Sequence, residues 1–359
     1  MSKTSKFGFW STIIALLTWF FALLLLISFI SGKVSPKTFP LLYFFSLFFP
    51  FFLLANIIFL IINLLRRKII LVIVALIAVL FNFSSMTALL QFNGKNEENT
   101  EFSLLSYNVE LFNQYNHNDK NYLNDFLKII KEKSPTIVCF QEYYEVKSSL
   151  DVQSEMRNLG YRYMSVCKSN KKINYGNIIF SKYPIENDSL ITFSKSKNCI
   201  VFADIVLEDK TFRVFNFHLA SIGFDFDDYK FYEEVIHLEN NSKKSMSSNV
   251  KNILKKMYRS SLQRTLQTNL LLKLIEKSPK TVIACGDLND VPTSYCYKQI
   301  SNKLNDSFIS CGSGFGCTYN GKFPAFRIDY VFFNSKNVCS DFEIIKEKIS
   351  DHYPVFVRF

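Results

Sequence analysis

Six short polar motifs follow one another through residues 106–354. They are Ser106-Tyr107-Asn108-Val109, Gln141-Glu142, Asn216-Phe217-His218-Leu219, Gly286-Asp287-Leu288-Asn289-Asp290, Arg327-Ile328-Asp329-Tyr330 and Ser350-Asp351-His352-Tyr353-Pro354. Carboxylates, amides and two histidines make an oxygen-rich set that suits a hard divalent cation and a phosphate ester. The eight cysteines include no CxxC pair, which argues against zinc. A phosphodiester is hydrolysed by in-line attack of water on phosphorus. A site for that reaction activates the water, neutralises charge on the phosphoryl oxygens and stabilises the leaving oxygen. Glu142 is the first expected metal ligand, with Asp351 as a second. Asn108 adds a ligand, or holds the metal's waters, without adding charge. Asp329 and His352 are expected to pair, because a carboxylate on one imidazole nitrogen fixes the tautomer and raises the basicity of the ring.

Most of these motifs sit at the carboxyl end of a short apolar run, so their side chains can gather on one rim of a sheet. Residues 102–109 read as a strand ending near Asn108, and 125–133 as a helix stopped by Pro135. Residues 136–141 read as a buried strand that delivers Glu142. Residues 176–180 form another strand, 200–207 and 212–217 a hairpin, and 281–285 a buried strand running into Gly286-Asp287. Strands at 330–333 and 355–359 close the chain. Cys139 and Cys285 lie in apolar runs and read as core residues. Cys296, Cys311, Cys317 and Cys339 could pair in an oxidising compartment, with the connectivity open. Residues 222–279 form a helical insertion, in which Leu254, Met257, Tyr258, Leu262, Leu266, Leu270 and Leu274 recur at near-helical spacing. The insertion is either a surface helix packed on the sheet or a flap that contacts substrate or membrane.

The content and order of the motifs resemble the endonuclease/exonuclease/phosphatase superfamily over residues 101–359. That superfamily includes deoxyribonuclease I, abasic-site endonucleases, neutral sphingomyelinases and inositol-polyphosphate 5-phosphatases. The resemblance implies an α/β fold, a four-layered sandwich of two mixed sheets flanked by helices. It implies Mg2+, with Mn2+ as a substitute, held by the glutamate at Glu142. It gives His352 contact with the scissile phosphate and a part in proton transfer, Asp287 the attacking water, and Asn289 and Asn216 the phosphoryl oxygens. His218 matches a second acid/base of the nuclease and sphingomyelinase branches, where abasic-site endonucleases usually have another residue. Asp290 supports the loop. Asn177 and Lys182 serve either substrate or turn packing, and Arg327 either phosphate or an ion pair. His117 and His237 match no motif and are expected to face solvent. The implied substrate is a phosphodiester, a nucleic acid first and a phospholipid or sphingolipid head group second. A degenerate domain that only binds is disfavoured, because no catalytic position is lost.

Residues 1–95 carry eight Lys/Arg and no Asp/Glu, so the rest of the +11 chain holds 34 basic against 31 acidic residues. The excess charge therefore flanks apolar sequence and gives little support for a polyanion partner. Three apolar stretches, 7–30, 39–65 and 69–90, each reach the roughly 20 residues that span a bilayer. The expected organisation is an anchor of three transmembrane helices over 1–93, a linker over 94–100 and a catalytic domain over 101–359, with the lipid bilayer contacted through residues 7–90. Arg66-Arg67-Lys68 between the second and third stretches places that turn in the cytoplasm and the catalytic domain outside it. Pro40 and Pro50 are expected to kink the second stretch. Asn56, Asn63 and Asn82 are expected to bond between helices.

Overall fold

The computed structural model describes residues 3–94, 100–113, 121–146, 151–169, 172–194, 196–236, 243–321, 326–334 and 339–359. His117 and His237 lie outside the described residues. The chain divides into two compact units. One takes in Met1–Leu89 with Val291–Lys298, the other Leu90–Asp290 with Gln299–Phe359.

Among the described residues of the first unit, one helix, Gly8–Ser31, is by itself long and apolar enough to cross a membrane. The expectation of three spans is corrected here. Pro40–Leu47 and Phe49–Leu65 are two helices bent by 62° about Phe48. Pro50 explains the break, because it has no N–H and its ring opposes the carbonyl four residues earlier. The third stretch is helical over Ile69–Phe81. At 1.5 Å per residue that is about 20 Å, short of a hydrocarbon core of about 30 Å. Three asparagines tie these helices to the first. Asn56 Nδ2 donates to Phe21 O at 2.6 Å, Asn63 Nδ2 to Thr18 Oγ1 at 2.8 Å and Asn82 Nδ2 to Leu25 O at 3.0 Å. The segment Val291–Lys298 joins this unit, with Thr293 Oγ1 donating to Ser46 O at 2.7 Å.

The second unit is an α/β sandwich of two mixed sheets. The six-stranded sheet runs Asn305–Asp306, Asp329–Phe333, Thr281–Asp287, Lys210–His218, Cys199–Leu207, Ile185–Thr192. The seven-stranded sheet has Asp341–Ile344, Val355–Arg358, Ser103–Asn108, Ile137–Val146, Ile173–Ser181 and Tyr163–Met164 in order, with Lys168–Ser169 also on Ile173–Ser181. Alternate residues of a strand face opposite sides. Leu104, Ile137, Cys139 and Ile179 thus meet Val201, Val214, Ile283, Cys285 and Val331 in the core between the sheets. Leu105, Val138 and Phe140 point the other way and pack on Phe126, Leu127 and Ile130 of helix Asn121–Lys133.

The insertion forms two helices, Phe226–Ile236 and Lys243–Glu276. On the second, the buried face is Ser260, Ser261, Arg264, Thr265, Gln267, Thr268, Leu271 and Ile275. The run of leucines read from the sequence does not form that face, and Leu266 is 68% exposed. Steps of four residues advance about 40° beyond a full turn of a 3.6-residue helix, so the run spirals off the packed side.

Candidate active site

Strand register brings the first three site residues into one row. Thr281–Asp287 runs parallel to Lys210–His218 and antiparallel to Asp329–Phe333, so Asp287 lies opposite His218 on one side and Asp329 on the other. In the other sheet Asn108 lies opposite Gln141, the residue before Glu142. Two backbone features aim the row. The Ile137–Val146 strand shifts register against Ile173–Ser181 between Phe140 and Tyr143, and Glu142 sits in that bulge at φ 53. Bulges of this kind re-aim a side chain. Gly286 has φ +141, and a Cβ there would lie 1.9 Å from the Phe217 carbonyl oxygen. The glycine of the Gly-Asp motif therefore lets two strands close up beneath the site.

Asp287 Oδ2 is the hub. Asn108 Nδ2 and Asn289 Nδ2 each donate to it at 3.1 Å, and His218 Nε2 and His352 Nε2 each lie 3.7 Å away. Glu142 Oε1 accepts from Asn108 Nδ2 at 3.3 Å and lies 3.7 Å from His218 Nε2. His352 Nδ1 bonds Asp329 Oδ2 at 2.9 Å, and its Nε2 lies 3.8 Å from Asp351 Oδ1. His218 Nε2 is buried with no hydrogen-bond partner among the described residues, so it is open to a phosphoryl oxygen or a water. Burial alone would lower the pKa of His352, but the Asp329 and Asp287 carboxylates hold it well above the ordinary imidazole value. Asp287 is pushed up to about 6 by its burial, with His352 and His218 opposing and Asp329 adding to the rise.

Two expected phosphate ligands have protein partners for their side-chain amides. Asn216 is fully buried below the rim. Its amide donates to Phe140 O at 2.8 Å and Ile178 O at 2.9 Å, and its Oδ1 accepts from Gln141 Nε2 at 2.8 Å. It fastens one sheet to the other: it shares the inward face with His218, two residues on, but lies one step deeper, while His218 ends the strand at the rim. Asn289 spends both amide hydrogens, on Asp287 Oδ2 and on Leu219 O at 3.1 Å, and its main-chain N–H donates to Asp287 Oδ1 at 2.7 Å. These bonds position Asp287. Asn177 supports the same inner network through Cys199 O and Asn216 O. Lys182 bonds Ser134, and Arg327 makes a buried bidentate pair with Asp306.

Three residues were not singled out for the roles they take. Glu110 Oε2 accepts from the Asp351 N–H at 3.3 Å. Arg264, wholly buried, donates from Nε to Asp290 Oδ2 at 3.2 Å and from Nη1 to Ala220 O at 2.8 Å. Gln267 Oε1 accepts from the Ala220 N–H at 2.7 Å. The insertion helix thus clamps both the loop after His218 and the loop after Asp287. The Asn108-Val109-Glu110 spacing was a visible signal for Glu110. The helix carries none for its clamp, since its partners lie 26 and more residues away.

The carboxylates at the mouth fit a hard cation. Asp351 is raised by burial, with Glu142 and Asp329 adding and His352 opposing. Glu110 is pushed up to about 6 by burial and by Asp351 and Glu142, with His352 opposing. Carboxylates that raise one another are relieved by a cation among them. Glu142, Asp351 and Glu110 supply hard oxygens and no sulfur, as Mg2+ or Mn2+ requires. Asn108 Oδ1 accepts from the Glu110 N–H at 3.1 Å, which leaves one lone pair for a metal or its water. Potential ligand atoms of Asp287, Asp329 and His352 also lie within 4.8 Å of one another. Within that group Nδ1 of His352 and Oδ2 of Asp329 are engaged with each other.

The sequence profile of the Endonuclease/Exonuclease/phosphatase family matches residues 105–352. A family described only as a domain of unknown function matches residues 11–89. No curated protein matches the chain. Among solved structures, TDP2 from Caenorhabditis elegans is 17% identical at a TM-score of 0.50, covering 72% of this chain and 74% of its own. The 3' phosphatase NExo from Neisseria, bound to a product DNA hairpin, is 14% identical at a TM-score of 0.51, over 72% of this chain and 99% of its own. An endonuclease/exonuclease/phosphatase from Beutenbergia cavernae is 14% identical at 0.50, over 72% and 70%. At such identities the likeness is one of fold.

Proposed function

The chain belongs to the endonuclease/exonuclease/phosphatase family and is a metal-dependent phosphoric ester hydrolase; from that premise we propose that it is a membrane-anchored phosphodiesterase that uses Mg2+, or Mn2+ in its place, and cleaves nucleic acid. The observation that carries this reading is the hub at Asp287 Oδ2, where Asn108, Asn289, His218 and His352 converge from separate motifs.

Glu142 and Asp351, with Glu110 and the Asn108 amide beside them, would hold the metal. When bound, the metal supplies Lewis-acid charge to the phosphoryl oxygens and the leaving oxygen. Asp287, fixed by two asparagine amides, orients the attacking water and takes its proton at Oδ2. His352, kept protonated by Asp329 and Asp287, donates from Nε2 to a phosphoryl oxygen. His218 Nε2 delivers a proton to the leaving oxygen as the P–O bond breaks. Water thus adds across that bond and gives a phosphomonoester and an alcohol. Asn216 and Asn289 act by holding the frame.

Nucleic acid is favoured because the motif sequences match the nuclease branch and because the Neisseria relative is described with product DNA. A lipid head group is the second reading, favoured by the apolar helix Gly8–Ser31, which would place the domain beside a bilayer. The catalytic unit lies outside the cytoplasm in this account. The Cys311–Cys339 disulfide, Cα atoms 6.0 Å apart, supports an oxidising compartment. The test is to give the full chain Mg2+ with DNA, RNA, sphingomyelin and bis-p-nitrophenyl phosphate side by side. Cleavage of the nucleic acids and the small diester is expected. Turnover of sphingomyelin alone would move the substrate to lipid, and inactivity on all four would end the phosphodiesterase reading.

A further inference from the structure

The sheet formed by Leu90–Phe92 and Ser313–Phe315 carries an outward apolar face. Leu90 lies opposite Phe315 and Phe92 opposite Ser313 in antiparallel register. Opposed residues, and residues two apart on a strand, share a face. Leu90, Phe92, Ser313 and Phe315 therefore point one way, while Gln91 turns in and is buried. Phe92 is 85% exposed and Phe315 71%. Asn93 Nδ2 holds the end of the strand to the catalytic unit by donating to Ile309 O at 3.0 Å.

Chain length selects what covers this face. The last helix of the apolar segment is Phe83–Thr87. An extended chain spans at most about 3.6 Å per residue, so Phe92 lies within about 18 Å of Thr87. The chain thus tethers Phe92 within reach of the apolar segment, and the head-group zone of a bilayer favours aromatic and apolar side chains. We infer that the face made by Leu90, Phe92 and Phe315 rests in the lipid interface and fixes which side of the catalytic unit meets the bilayer. This rests on the membrane anchoring proposed above.

The native chain has two tryptophans, Trp10 and Trp19, both in the first helix. The full chain is placed in lipid nanodiscs with Trp10→Phe and Trp19→Phe, and a single reporter is introduced as Phe315→Trp, as Phe92→Trp, or as Tyr175→Trp for comparison. Lipids brominated near the head group should lower the emission of the reporters at 315 and 92 and leave that at 175 unchanged. Unquenched reporters at both 315 and 92, while Trp10 and Trp19 of the unsubstituted chain are quenched, would overturn the inference and leave the anchoring intact. Native tryptophans that brominated lipid does not quench would overturn both. Either reporter position suffices if the other variant does not fold.

Discussion

His352 and Asp329 are joined at 2.9 Å, and Asp287 sits 3.7 Å from the far ring nitrogen. Removing either partner leaves an imidazole without its orienting charge or a buried carboxylate without its cation. We expect His352→Ala and Asp329→Ala each to lower kcat by about 10²- to 10⁴-fold, as loss of a general acid or its support does. The double change should be little worse than either single one. Losses that multiply cleanly would show that the two do not act as a unit. Asn216 separates a structural role from a substrate role. Asn216→Ala takes a donor from the Phe140 and Ile178 carbonyls and one acceptor from the Gln141 amide inside the sandwich, and a buried polar group left without its partner costs about 1–3 kcal/mol. Thermal unfolding should shift sharply downward while KM of the remaining folded enzyme stays near wild type. A stable variant with a raised KM would return Asn216 to the phosphate. His218, Asp287, Asp329, His352 and Glu142 stood out in the sequence because each sits in a polar motif beside an apolar run: His218 and Asp287 end strands, Asp329 opens one, Glu142 lies in a bulge and His352 precedes the last strand. The sequence did not show that Asn216, on the same face as His218 but one step back from the strand end, lies deep enough to be spent on Phe140, Ile178 and Gln141 of the other sheet, because the depth of the rim is set by that sheet.

Strands and turns were legible wherever apolar runs end in Gly, Pro or a polar motif. The hairpin of Cys199–Leu207 with Lys210–His218 is such a case. Within it Asp204 faces Arg213, bonded in a bidentate pair at 2.7 and 2.8 Å. Burial raises the Asp204 carboxyl, but the Arg213 guanidinium and the Asn187 amide bring it below its ordinary value. A carboxyl with a lowered folded-state pKa stabilises the fold above its unfolded value and loses that contribution as pH falls through the folded one. Stability should therefore drop as pH falls below about 4, and Asp204→Asn should flatten that part of the profile. An unchanged profile in the variant would assign the acid sensitivity elsewhere. The insertion helix was less legible. Its buried face is mostly polar, because it satisfies the loops after His218 and Asp287 through Arg264 and Gln267 instead of filling a core. Hydrophobic periodicity does not report such a face.

The apolar N-terminal segment was evident from composition, whereas its division into spans was not. Hydropathy does not register the break at Phe48 or the early end of the third helix at Phe81. Protease added to sealed vesicles, oriented with the outer face out, should digest the catalytic unit, and non-reducing peptide mapping should join Cys311 to Cys339. Protection until lysis, with both thiols reduced, would place the site in the cytoplasm. For the molecule as a whole the central claim is that the rim built around Asp287 hydrolyses phosphodiesters with a cation held by Glu142 and Asp351. The most direct measurement follows hydrolysis of a phosphodiester by the full chain through chelation and re-addition of Mg2+, beside Glu142→Gln. Activity should vanish in chelator and return with Mg2+ or Mn2+, and the variant should lose at least about a hundredfold at saturating metal. Full turnover in excess chelator, or an unimpaired Glu142→Gln, would contradict it.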